Sequence, residues 1–372
     1  MRFARRGWIF ELATAIVAVC STLHVAAQSL PIEDIQLRGD RFRGLHYREM
    51  TDEQRALLYN VVNSARAVTN TTGNGPFNTL LRTPQVGELS QQLGNAIRFS
   101  SGLSGRLREL ATLMAGRAWT STYEWYAHAR YAREEGIDAA VIAAIAEHRT
   151  PDLAAMPAED AMVWRVSDEL LYTRRISDAT YKEALAVLGE QRLFSTVTIA
   201  AYYEYVSMLL NVDRYPLPAD APAKAAAAAH ALAPLTTAER YRPPRGAVTP
   251  RPRVRLENVD KAVDALGTQL RGASLGIKPP NDRFVREAAL EGILSQWKSD
   301  SRGDRAHAMP QDALTAARFV RELLDARFVS DATFAAALEA FGERGLVNLM
   351  VLMGHSNIRC AQQALVGSAC VL

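Results

Sequence analysis

The chain has 372 residues, 48% hydrophobic and 22% charged, a composition of globular rather than disordered protein and a length that suits two domains. Its 43 Lys plus Arg against 40 Asp plus Glu leave a net charge of +3, which excludes a global nucleic-acid-binding charge and with it a nucleic-acid partner. Cys20, Cys360 and Cys370 form no CxxC pair and no zinc-finger spacing with histidine, which excludes a disulfide scaffold, a structural zinc and a dithiol redox motif.

Arg2, Arg5 and Arg6 precede an apolar stretch from Leu12 to Ala27 that ends in Val25-Ala26-Ala27. A basic start, a short apolar core and small residues at the cleavage positions predict a signal peptide over 1–27, cut after Ala27. The expected destination is the periplasm or the exterior, with the mature chain off the membrane. Beyond about residue 50, helix signals dominate. Thr51 with Gln54 reads as a capping box, Thr83-Pro84 as a cap followed by proline, and Ser104 as the start of a helix with Leu107, Leu110, Ala111, Met114 and Ala118 on its apolar face. A helix from about Ser121 stops at Gly136. Further helices are predicted from Asp138 to His148, from Pro157 to Arg174, from Ser177-Asp178 to Gly189, and from about Leu193 to Asn211. Alternating strand patterns are scarce, so the fold class is all-α.

From 218 to 256 the composition turns to Ala, Pro and Arg, with six arginines between Arg240 and Arg255, and predicts an extended, solvated linker between domains at 28–217 and 257–372. A repeat then relates the two sides. Glu169-Leu170-Leu171, Arg174, Ser177-Asp178-Ala179-Thr180, Ala184-Leu185, Gly189-Glu190 and Leu193 recur 153 residues later, from Glu322 to Leu346, with 13 of 25 positions identical. The second region therefore reads as a copy of the first domain's later helices. At that offset Glu109 falls on Ala262, Glu124 on Ile277 and His128 on Asn281, so the second copy is expected to be degenerate and catalytically empty.

The residues able to carry chemistry lie between 106 and 137. Glu124 and His128 are four apart, which puts them on one helical face, and Glu109 lies on the preceding helix. A histidine held by one carboxylate with another opposite is a proton-transfer device; the alternative is an exposed surface pair. Arg108 and Arg117 are candidates to hold a substrate carboxylate. Trp125, with Trp119, Tyr123 and Tyr126, suits an apolar pocket wall or simple core.

Arg108-Glu109-Leu110, then Tyr123-Glu124-Trp125 and His128, then Tyr202-Tyr203, Leu210-Asn211 and Pro216-Leu217-Pro218 together resemble the carboxymuconolactone decarboxylase family, which includes the alkylhydroperoxidase D-like proteins. The likeness runs from about 77 to 218. It implies an alkylhydroperoxidase D-like helical domain that assembles as homo-oligomers. The peroxidase branch of that family uses a CxxC pair, and here the two cysteine positions are Ser121 and Glu124. Thiol peroxidase chemistry needs both thiols. The resemblance therefore implies a decarboxylase-like enzyme acting on a small carboxylated substrate, with no cofactor and no metal. In this reading His128 shuttles the proton, Glu124 orients it, Glu109 is the second acid-base group, and Arg108, Arg117 and Trp125 contact substrate. The alternatives are a peroxidase-like antioxidant and a non-catalytic oligomeric binding protein. Cys360 and Cys370 are left as a possible disulfide.

Overall fold

In the computed structural model, which describes residues 31–64, 72–251, 257–272 and 311–368, capping side chains set where the helices start. Thr51 and Gln54 form the expected capping box of α1 (Asp52–Val62). After α2 (Phe77–Leu80), α3 (Pro84–Phe99) opens on its proline, and Ser104 caps α4 (Gly105–Ala118). Then come α5 (Thr122–Glu134), α6 (Ala139–Ala146), α7 (Ala158–Thr173) and α8 (Asp178–Asp213). The remainder holds α9 (Ala223–His230), α10 (Thr237–Arg240), α11 (Glu257–Gly272), α12 (Gln311–Ala326) and α13 (Asp331–Leu365). Among the described residues there is no strand, only one isolated bridge between Gln36 and His46, so the fold is all-α. The segment expected to be a signal peptide lies outside the described residues, as do Cys370, Ile277 and Asn281.

Two helices anticipated on either side of Gly189 run on as one element, α8, with a break at the glycine (φ 72°, ψ 169°). A side chain there would be strained, and glycine is not. Beyond the break, every residue from Leu193 to Asp213 is buried. By length and composition α8 could cross a membrane, but its most apolar window is wholly buried inside the protein. A helix apolar on all sides needs cover on all sides. Helices α4, α7 and α13 supply it.

Three helix pairs recur at a nearly constant offset: α4 with α11, α7 with α12, and α8 with α13. Local devices recur with them. Glu169 accepts from Ser177 N at 2.7 Å and from Ser177 Oγ at 3.0 Å, tying the end of α7 to the start of α8. Glu322 does the same for Ser330, at 2.7 and 3.3 Å. Arg174 and Arg327 both take positive φ, 58° and 68°, and Gly342 breaks α13 with φ 65° as Gly189 breaks α8. Where α8 and α13 meet, the correspondence stops short. Glu204 accepts two bonds from Arg174, at 2.7 and 2.8 Å, one from Trp119 Nε1 at 3.0 Å and one from Asn357 Nδ2 at 3.0 Å. Asn357 occupies the position 153 residues after Glu204. An amide there donates to the carboxylate, where a second glutamate would repel it.

The Ala/Pro/Arg segment, described as far as residue 251, is largely exposed as expected of a linker but is not wholly extended. It folds into α9 and α10, and Ala229, Leu232, Leu235 and Arg240 are buried. Its arginines explain the docking. Arg240 donates to the carbonyls of Leu235 and Asp325, Arg242 to Asp168 at 2.5 Å, and Arg251 to Asp178 at 2.6 Å, so each pairs with a group on the helical body rather than with water. At the other end of the chain, residues 31–50 form a strap across the body. Its anchor is Asp213, whose Oδ1 accepts from Phe42 N at 2.7 Å and Asp40 N at 3.2 Å, while Oδ2 has no hydrogen-bond partner. Burial, opposed by these bonds and by Arg82, pushes the Asp213 carboxyl up to about 7.

Two outcomes follow from these buried charges. Glu204→Gln leaves the buried guanidiniums of Arg174 and Arg327 without their anion and should destabilise the fold by about 3–5 kcal/mol, read as a lower denaturant midpoint; a change below about 0.5 kcal/mol would show that the pair is not needed. Between about pH 4 and 7 the folded Asp213 retains a proton that the unfolded chain has lost, so its contribution weakens as pH rises through that window. Asp213→Asn keeps the acceptor without the charge. Its stability relative to wild type should rise from about pH 4 to 7 and level off above, by on the order of 4 kcal/mol in chemical denaturation series.

Candidate active site

Helix α4 turns Glu109 into the interior, and α5 carries Glu124 and His128 on the face that meets α4. Gly116 makes the approach possible, since a Cβ there would lie 3.1 Å from Glu124 Cβ. The three side chains converge. His128 Nδ1 is 2.5 Å from Glu109 Oε2, and Nε2 is 3.3 Å from Glu124 Oε2, so the imidazole is bracketed by two carboxylates. All three are buried, Glu109 at 1%, Glu124 at 3% and His128 at 7% exposure, which disposes of the exposed surface pair.

Behind the histidine lies a fixed positive layer. Arg98, at the end of α3, donates to Glu109 Oε1 at 3.2 Å and to the Tyr203 hydroxyl, and Arg108 Nε is 3.5 Å from the same Glu109 oxygen. Burial raises the Glu109 carboxyl, but His128, Arg98 and Arg108 outweigh it and hold the group down at about 2. Glu109 is thus ionised at neutral pH and accepts the Nδ1 proton, which leaves Nε2 as the working nitrogen. In front of the histidine opens a cavity of about 340 Å³ whose wall includes Glu124, His128, Tyr123, Tyr131 and Tyr203. Its size falls in the lower part of the range of small-molecule sites. Tyr203 and Tyr131 set their rings edge-on to the imidazole at 5.0 and 5.5 Å. Burial, chiefly, pushes the Tyr123 hydroxyl up, keeping it neutral.

The two carboxylates differ in their distance from the imidazole. Glu109 makes the shorter contact, at 2.5 Å to Nδ1, and Glu124 stands 3.3 Å from Nε2 at the cavity wall. Helical spacing makes Glu124 and His128 neighbours, but only packing shows that the closer contact comes from the other helix. The expected substrate contacts are also displaced. Arg117 donates to Ala146 O at 2.8 Å and Thr120 Oγ1 at 3.3 Å, and Arg108 to Arg98 O at 3.1 Å. Neither lines the cavity, and Trp125 is core at 3% exposure. The arginines at the cavity are Arg38, Arg98 and Arg130. Arg98 follows Ile97 on the buried face of the amphipathic α3, a detectable signal; Arg38 has no local one. Among the described residues no group of three or more His, Cys, Asp or Glu is placed to hold a metal ion.

Residues 84–164 match the carboxymuconolactone decarboxylase family. The match begins at α3, takes in Arg98, Glu109, Glu124 and His128, and ends within α7. Over that segment the scaffold is similar to the carboxymuconolactone decarboxylase type, and the all-α fold of the described residues agrees with it. Comparisons with curated proteins and with solved structures returned no match. Arg38, Tyr203 and everything after α7 lie outside the family segment.

An ionised Glu109 makes acid stability depend on it. Its carboxyl titrates at about 2 folded and near 4.5 free, so its contribution is complete above about pH 4.5 and is lost as pH falls towards 2. Glu109→Gln should lack this acid loss; parallel acid-unfolding slopes in the variant and the wild type would show that Glu109 is not held ionised.

Proposed function

We propose that the protein is an exported, decarboxylase-like enzyme that acts by acid-base chemistry, without thiols, on a small carboxylated substrate. The observation that carries this reading is the buried array of Glu109, His128 and Glu124 on the wall of one cavity. Glu109 holds the imidazole and balances its charge, as a carboxylate behind a catalytic histidine does. His128 Nε2 and Glu124 then face the substrate and exchange protons with it. In a decarboxylation the bond from carbon to the carboxylate breaks, its electron pair stays on that carbon, carbon dioxide leaves, and the carbon takes a proton from this pair. Hydroperoxide chemistry is disfavoured, because Ser121 and Glu124 stand where that branch of the family has thiols. Cys360 is disulfide-bonded, which agrees with an oxidising compartment and export. We read the helices after residue 257 as a degenerate second copy, with Ala262 on α11 where α4 carries Glu109, and the whole chain as the unit of a homo-oligomer.

The test begins with a thermal-shift screen of small carboxylic acids on the mature protein, since a ligand that binds the native state raises its melting temperature. With a substrate in hand, His128→Ala should reduce turnover by roughly a hundredfold or more, the scale of a lost general acid-base group. Glu124→Gln should approach that loss. Undiminished turnover in folded His128→Ala would reduce the array to a structural one.

A further inference from the structure

The two arginines of the family segment that line the cavity, Arg98 and Arg130, are each already paired with a glutamate. Of the three arginines at the cavity, Arg98 is bonded to Glu109 and Tyr203. Arg130 is paired with Glu134 at 3.0 Å, lies over the Tyr131 ring, and is 58% exposed. Arg38 differs from both. Among the described residues it makes no ion pair, and its buried Nε has no hydrogen-bond partner. Its guanidinium instead rests over two aromatic rings, 5.4 Å from the centre of Tyr215 and 5.8 Å from that of Tyr123. These rings meet edge to face at 4.8 Å, and the Tyr215 hydroxyl is fixed by Asn74 Oδ1 at 3.0 Å and Gly75 N at 3.1 Å. Arg38 also hydrogen-bonds the Tyr215 side chain; a cation stacked on aromatic faces keeps its charge, and the guanidinium has further in-plane donors for a ligand.

We propose that Arg38 is the specificity-determining residue that binds the substrate's carboxylate, an inference that rests on the functional reading above. The strap holds it in position from outside the family domain. Leu37 N bonds Leu45 O at 2.9 Å, Asn78 Nδ2 bonds Phe42 O at 2.8 Å, and the Phe42 ring packs on Phe334 at 5.6 Å. Arg41, three residues after Arg38, donates to Val212 O at 3.1 Å, Val329 O at 2.8 Å and Asp331 Oδ1 at 2.7 Å. Phe334, Val329 and Asp331 belong to the C-terminal half. That half is catalytically empty in our reading, and through the strap it positions a recognition group in the other half's cavity. A side chain fixed before binding loses little freedom on binding, which favours affinity.

The experiment uses full-length mature protein with two probes of the same shape, benzoate and its neutral amide, benzamide, in titration calorimetry. Wild type should prefer benzoate. Arg38→Gln should weaken benzoate by about tenfold or more, the usual worth of a charge-assisted bond, and leave benzamide within about twofold. Arg38→Lys should recover part of the benzoate affinity. Because benzamide reports on cavity shape, a variant that had merely lost structure would weaken both probes, and that result would overturn the proposal. Equal benzoate affinity in wild type and Arg38→Gln, or no benzoate preference in wild type, would also overturn it. None of these results touches the His128→Ala test, so a failure here is separable from a failure of the functional reading.

Discussion

The structure is organised by the need to cover a helix that has no polar side. From Leu193 to Asp213, α8 exposes nothing, and an apolar helix of that length left against water would expose several hundred square ångströms at about 25 cal/mol per Å². The family segment supplies α4 and the start of α7 as cover, and the rest of α7 and α13 complete it. The C-terminal half is thus part of the same hydrophobic core, and the buried residues of both halves form one cluster.

The most heavily bonded polar group inside that core is Glu204. Glu204 would be pushed up by burial, but Arg174 holds it below the ordinary carboxylate range, and Trp119 and Asn357 complete its bonds. The pairing of Glu204 with Asn357 follows from electrostatics at close range, since two carboxylates at this contact could not both ionise at modest cost. Packing tolerates a smaller residue elsewhere too: Gly354 on α13 makes room for the Tyr205 ring, which a Cβ would strike at 2.0 Å. What recurs between the halves is capping, breaks and apolar faces; what differs is charge and chemistry.

The candidate site sits at the edge of this core, where side chains from α3, α4, α5, α8 and the strap meet. Its electrostatics run in layers, with Arg98 and Arg108 behind, Glu109 between, and the imidazole and Glu124 towards the cavity. Each layer sets the state of the next, because charges a few ångströms apart in a poorly solvated region interact strongly. Removing one layer therefore changes the electrostatic surroundings of its neighbours as well as its own contacts.

The amino-acid sequence by itself determined the all-α class, most helix starts, the recurrence at 153 residues, and Glu109, Glu124 and His128 as the residues of interest. These features are local: caps act within one turn, glycine breaks act at one residue, and residues four apart share a helical face. Tertiary structure alone decided which carboxylate holds the imidazole, that Arg108, Arg117 and Trp125 stand away from the cavity, and that the arginine-rich segment docks. It also decided that Arg38, 90 residues before His128, lines the same cavity. Such contacts depend on how helices pack against one another, and no periodicity along the chain encodes the distance between side chains on different elements.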